Sequence, residues 1–133
     1  MMREVKFARE KASIMSAGVR VVAVVDDDPS MLKAVARLLR VHGIIPETYV
    51  SAEAFLDDLA ASKANCLLID IHLGGLSGID LCRRLKACSC FSNIILMTAV
   101  DNKVTEKKAI EAGCTAYLRK PFSDRALIDA IAH

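Results

Sequence analysis

From residue 20 onward, short apolar runs alternate with segments of helical periodicity, and nothing else in the chain limits its fold so tightly. Alternation of this kind is the mark of parallel βαβ units, in which every strand needs a crossover to return in the same direction. The first run, Val21-Val22-Ala23-Val24-Val25, is apolar at each position, as expected of a central strand covered on both faces. Asp28 offers an N-cap oxygen and Pro29 suits a first helical position. Met31, Leu32, Val35, Leu38 and Leu39 then recur at helical spacing, in a helix predicted to end near Gly43. A second strand is predicted over residues 45–50, with Ser51 capping a helix that carries Phe55, Leu56 and Leu59. Cys66-Leu67-Leu68-Ile69 reads as a third, buried strand with Asp70 at its carboxyl end. Ser77 opens a helix through Leu81 and Leu85, residues 94–97 form a strand ending at Thr98, and residues 103–112 form a helix stopped by Gly113. Residues 115–118 give the fifth strand, closed by Lys120-Pro121, and Leu127, Ile128 and Ile131 mark a last short helix. Five strands and five flanking helices in strict alternation specify a doubly wound α/β domain.

A chain of 133 residues accommodates one such domain. Residues 1–18 show no clear period and hold two further methionines, Met2 and Met15, so they read as a leader, helical or disordered, outside a folded unit of residues 19–133. The leader is too charged for a signal peptide, and no run approaches the ~20 apolar residues of a membrane span. A cytoplasmic protein that does not engage a membrane is expected. A net charge of +2 and an aromatic content of 5% without Trp supply neither a basic surface nor a stacking platform, so direct nucleic-acid binding is not expected. The five cysteines are odd in number and follow no secretion signal, which favours free thiols in a reducing compartment. Cys82, Cys88 and Cys90 lack the paired Cys-x-x-Cys knuckles of a zinc module.

Ligands of doubly wound domains gather beyond the carboxyl ends of the strands. Those positions hold Asp26, Asp27 and Asp28 after strand one, Asp70 after strand three, Thr98 after strand four and Lys120 after strand five. Carboxylates converging in one cleft repel unless a cation sits among them, and hard oxygen donors suit Mg²⁺. A metal-held carboxylate, the Lys120 ammonium and the Thr98 hydroxyl can surround a phosphoryl group while Asp70 supplies the attacking oxygen. Taken singly, each residue also has an ordinary structural role. Asp26 to Asp28 form an acidic turn, with Asp28 before Pro29 a helix cap; Asp70 can cap, Thr98 can finish a strand, and Lys120 can be a solvated turn charge. Their joint occurrence at successive strand ends is what favours aspartyl-phosphate chemistry.

At this point the sequence resembles the receiver domains of two-component response regulators. Val24-Val25-Asp26-Asp27-Asp28-Pro29 is similar to the family's acidic opening, and Leu68-Ile69-Asp70-Ile71-His72-Leu73 with Ser77-Gly78 to its phosphoacceptor segment. Met97-Thr98-Ala99 and Lys120-Pro121-Phe122 supply the remaining signatures, in the right order, over residue 20 to the C-terminus. The resemblance implies the flavodoxin-like strand order 2-1-3-4-5. It further implies that Asp70 accepts a phosphoryl group from a phosphohistidine on a sensor histidine kinase or phosphotransfer protein. Asp26, Asp27, Asp70 and the backbone carbonyl of His72 would hold Mg²⁺, Lys120 would bind the phosphate, and Thr98 and Tyr117 would be switch residues. The output face would be helix four, strand five and helix five, working on a downstream protein, with a homodimer left open. Such a domain is a regulatory phosphoacceptor and not an enzyme in the usual sense. Gly74 departs from the Pro often found there, which implies a more mobile loop. His72 and Val100 stand where side chains shape water access to an acyl phosphate, although His72 is also read as a plain exposed loop residue. Two other readings compete: an interaction module of the same fold that is never phosphorylated, and, ranked last, a Mg²⁺-dependent phosphatase, for which no lid or second domain is evident.

Overall fold

The computed structural model describes residues 20–100 and 102–132; the leader expected over residues 1–18 lies outside the described residues. The elements are β1 (Arg20–Val25), α1 (Pro29–Val41), β2 (Ile44–Tyr49), α2 (Ala52–Asp57), β3 (Cys66–Asp70), α3 (Gly78–Ala87), β4 (Ile94–Thr98), α4 (Lys103–Glu111), β5 (Ala116–Arg119) and α5 (Asp124–Ala132). All strand pairs are parallel, in the order β2-β1-β3-β4-β5. The alternation of apolar runs and helices therefore produces the doubly wound sheet that it predicts.

Period-two geometry divides the core between the two faces of the sheet. Ala23, Val25, Leu67, Ile69, Ile94 and Leu96 point to one side, where Phe55 of α2, Leu81 and Leu85 of α3 and Ala109 of α4 cover them. Val22, Val24, Cys66, Leu68, Ile95 and Met97 point to the other, under Leu32, Val35 and Leu39 of α1 and Leu127 and Ile131 of α5. Each face is sealed by helices, which is why β3 and β4 are buried at every position. Pro46 lies in β2, where the missing N–H is tolerated because β2 is an edge strand.

Local chemistry sets the helix starts. Asp28 Oδ1 accepts from Ser30 N–H at 2.9 Å, Ser51 Oγ from Ala54 N–H at 3.0 Å, and Ser77 Oγ from Asp80 N–H at 3.1 Å. Helix α2 is shorter than its apolar spacing suggests: it ends at Asp57, and Leu59 lies in the turn beyond it. Strand β2 begins and ends one residue earlier than predicted, and β5 is displaced one residue later. Cys88 and Cys90 correct the expectation of free thiols, because a disulfide joins them, with Cα atoms 5.2 Å apart. The reason is the turn that ends α3: Ser89 adopts φ +56° and Cys90 N–H returns to the Leu85 carbonyl, which brings the two side chains to one side. Cys66, Cys82 and Cys114 are free. Among the described residues no helix is long and apolar enough to cross a membrane.

Candidate functional site

Strand β1 lies between β2 and β3, so the chain leaves it to one side through α1 and crosses to the other through α2. That reversal opens a crevice at the carboxyl ends of β1 and β3. Ladder hydrogen bonds continue one step past the strands and fix what stands there. Asp26 N–H donates to the Tyr49 carbonyl at 3.1 Å, Ile71 N–H to Met97 at 2.9 Å and Lys120 N–H to Thr98 at 2.7 Å. Side chains that are 94 and 50 residues apart in sequence are thereby brought into contact.

Lys120 is the centre of the constellation. Its Nζ donates to Asp26 Oδ2 at 2.8 Å and to Asp70 Oδ2 at 3.1 Å. Asp26 has no exposed surface and Asp70 only 7%. Asp26 Oδ1 accepts from Asp28 N–H, and Asp70 Oδ1 from His72 N–H, each at 2.9 Å. Both carboxylates are thus held by a backbone amide on one oxygen and by the ammonium on the other. Burial pushes the Asp70 carboxyl above its ordinary range, with the Asp26 charge adding to the rise against the pull of the His72 amide and Lys120. Burial disfavours the charged Lys120, but its bonds and charge contacts with Asp26 and Asp70 outweigh that, and its pKa is raised.

Asp27 is exposed at the lip of the crevice, and oxygens of Asp26, Asp27 and Asp70 lie within 4.8 Å of one another. Three carboxylates against one ammonium, which touches Asp26 and Asp70, carry a surplus of negative charge, and their hard oxygens are donors of the kind Mg²⁺ takes. The residues present therefore fit a divalent cation. Asp28 stands apart from this group as the cap of α1, the role that its place before Pro29 predicts.

Thr98 is fully buried at the end of β4. Its Oγ1 accepts from Val100 N–H at 3.1 Å and shares a hydrogen bond with His72 Nε2, also at 3.1 Å. The exposed ring of His72 is therefore more than the plain loop residue that sequence suggests. Tyr117 is half-buried against the core on the α2, α3 and α4 side. It stands opposite Leu96 in the ladder, while Arg119 is level with Thr98. The ring of Tyr117 lines a groove of about 390 Å³ with Asn102, Lys103, Glu106 and Arg119, outside the polar cluster.

Two further residues shape the loop after Asp70. A Cβ on Gly78 would lie 2.2 Å from the Asp70 carbonyl oxygen, so only glycine lets α3 begin against the end of β3. Glu53, at the start of α2, accepts from Leu76 N–H at 2.9 Å, which holds its carboxyl below the usual range. This bond anchors the Gly74-Gly75 loop, whose composition alone suggests greater freedom. Nothing in the sequence marks Glu53 for the task, because its partner is a backbone amide reached only through the fold.

The comparisons agree with this geometry. The family model of the response regulator receiver domain matches residues 22–132. The response regulator protein TodT of Pseudomonas putida is 34% identical over 117 residues, covering 88% of this chain and 52% of TodT. The chain spans about half the length of the curated relatives it matches. Among solved structures, a response regulator receiver protein from Burkholderia phymatum is 40% identical with a TM-score of 0.75, covering 85% of this chain and 92% of that one. The BeF3-activated DrrB receiver domain is 31% identical with a TM-score of 0.77, covering 86% and 95%. With the doubly wound sheet and the acidic strand-end crevice, these matches make the chain a member of the response regulator receiver domain family of two-component signal transduction.

Proposed function

We propose that residues 19–133 form one domain, a phosphorylation-driven switch whose phosphoacceptor is Asp70. The observation that carries the reading is the Lys120 ammonium set between buried Asp26 and Asp70, with Asp27 beside them. The donor is a phosphohistidine on a sensor histidine kinase or a phosphotransfer protein in the cytoplasm. Asp70 attacks phosphorus, the P–N bond breaks, and an acyl P–O bond forms.

Asp26, Asp27, Asp70 and the His72 carbonyl would hold Mg²⁺, which when bound would neutralise charge on the phosphoryl oxygens. Asp70 is pre-oriented for attack, because the His72 amide fixes one of its oxygens and Lys120 the other. Lys120 then offers its charge to the phosphoryl group, and Thr98 offers its hydroxyl to an oxygen of the same group. A group carrying about two negative charges at this point biases the loops after β4 and β5. The altered surface is α4, β5 and α5, with Tyr117 in its groove, and it is read by a downstream protein or a second copy of the chain.

The test is Mg²⁺-dependent labelling by acetyl phosphate, followed by intact mass. Wild type should gain one phosphoryl group and Asp70→Asn none. Undiminished labelling of Asp70→Asn would refute the assignment, and an output unaffected by Asp70→Asn would favour the phosphorylation-independent module.

A further inference from the structure

Thr98 Oγ1 has one hydrogen and two lone pairs to share. The Val100 amide takes one lone pair, and the His72 ring takes either the hydrogen or the other lone pair, according to its tautomer. Where the ring takes the hydrogen, Thr98 has none left to donate elsewhere. The Asp70 carboxylate is meanwhile bonded to the His72 amide and to Lys120. With its hydrogen on the ring, Thr98 can donate to a phosphoryl group on Asp70 only by breaking that contact.

We infer that His72 Nε2 accepts the Thr98 hydroxyl hydrogen in the resting state, which makes His72 a positioning residue that catches Thr98, so that engagement of a phosphoryl group requires the imidazole to let go. The inference rests on the phosphoacceptor reading above. One residue performs two separable tasks: its backbone amide orients Asp70 whatever the side chain, and its ring restrains Thr98. Because His72 is exposed, replacing its ring opens no core cavity, and the Thr98→Val background separates the catch from any other effect of the ring.

The test compares wild type, His72→Ala and His72→Phe for binding of the beryllofluoride anion with Mg²⁺, each also in a Thr98→Val background. His72→Phe keeps the bulk and removes the nitrogen. Loss of one net hydrogen bond that opposes the bound state should tighten binding about three- to tenfold in both ring variants. The gain should vanish in the Thr98→Val background, where no hydroxyl is left to catch. In the metal-free protein, amide exchange at Val100 should quicken in both ring variants. Wild type that binds the anion with no gain in either ring variant overturns the inference while leaving the phosphoacceptor reading intact. A gain that survives Thr98→Val, or one seen with Ala but not with Phe, also overturns it, since the ring would then act by bulk or through another group. Wild type that shows no Mg²⁺-dependent binding, or the same binding as Asp70→Asn, overturns the phosphoacceptor reading and the inference together.

Discussion

Lys120→Met should destabilise the unphosphorylated domain in a way that depends steeply on pH. The ammonium lies 2.8 Å from Asp26 and 3.1 Å from Asp70, in a site where Asp26 has no exposed surface. At an effective dielectric constant of about 20 those distances correspond to roughly 6 and 5 kcal/mol of gross attraction, much of it offset by the desolvation of the ions. Removing one partner of such a buried group costs about 3–5 kcal/mol. Protonation sets a ceiling: placing one proton on a carboxyl with an ordinary pKa of about 3.9 costs about 4 kcal/mol at pH 7 and about 1.5 kcal/mol at pH 5. Asp70, whose carboxyl burial already pushes up, would take that proton. Lys120 lowers the Asp70 pKa against the burial that raises it, so without Lys120 the folded-state value rises further, and its contribution to stability is present below the unfolded value and lost as pH rises through the folded one. The variant should therefore be about 3–4 kcal/mol less stable than wild type near pH 7, with the deficit shrinking by about 1.4 kcal/mol per unit towards pH 5. Urea denaturation of both proteins at three pH values measures this. An equal deficit at pH 5 and pH 7, or none at pH 7, would refute the electrostatic account of the site.

Gly78→Ala should force the start of α3 away from the Asp70 carbonyl, which lies 2.2 Å from the added carbon. A cost of about 1–3 kcal/mol and slower labelling of Asp70 are expected, and an unchanged urea midpoint would show that the approach is not tight. Burial pushes the Cys66 thiol up to about 12, so its contribution to stability is lost as pH rises above the unfolded value of about 8.5. Thermal melts from pH 8 to 10.5 should fall more steeply in wild type than in Cys66→Val, and parallel curves would exclude the thiol as the cause. Glu53→Ala should speed hydrogen exchange at the Leu76 amide that Glu53 now accepts from, with little change in global stability; unaltered exchange would mean that the loop is held by other contacts.

What could be seen in the sequence was whatever a residue owes to its own segment. Val22 to Val25 and Cys66 to Ile69 are apolar because helices cover both faces of the sheet. The polar residue that ends each such run must then stand at a strand terminus. Asp26, Asp70 and Lys120 meet because strand ends converge, and that convergence follows from parallel topology without any knowledge of loops. Loop paths decide the rest. The Cys88–Cys90 link depends on one residue at φ +56°, and the anchor of Leu76 on a carboxylate 23 residues earlier. The end of α2 at Asp57 is similar: apolar spacing continues to Leu59, but the backbone closes 3₁₀-type bonds from Asp58 to Phe55 and from Leu59 to Leu56.

His72 shows how far such a loop contact can matter. Its amide belongs to the end of β3 and its ring reaches the end of β4, so one residue joins the atom proposed to receive the phosphoryl group to the hydroxyl proposed to sense it. Any residue except proline keeps the amide, whereas only a side chain of suitable reach with a polar tip keeps the second bond. Substitution at position 72 can thus retune the balance between resting and engaged Thr98 without altering the attacking carboxylate, which is the arrangement expected if the chemistry and the timing of a switch are to vary independently.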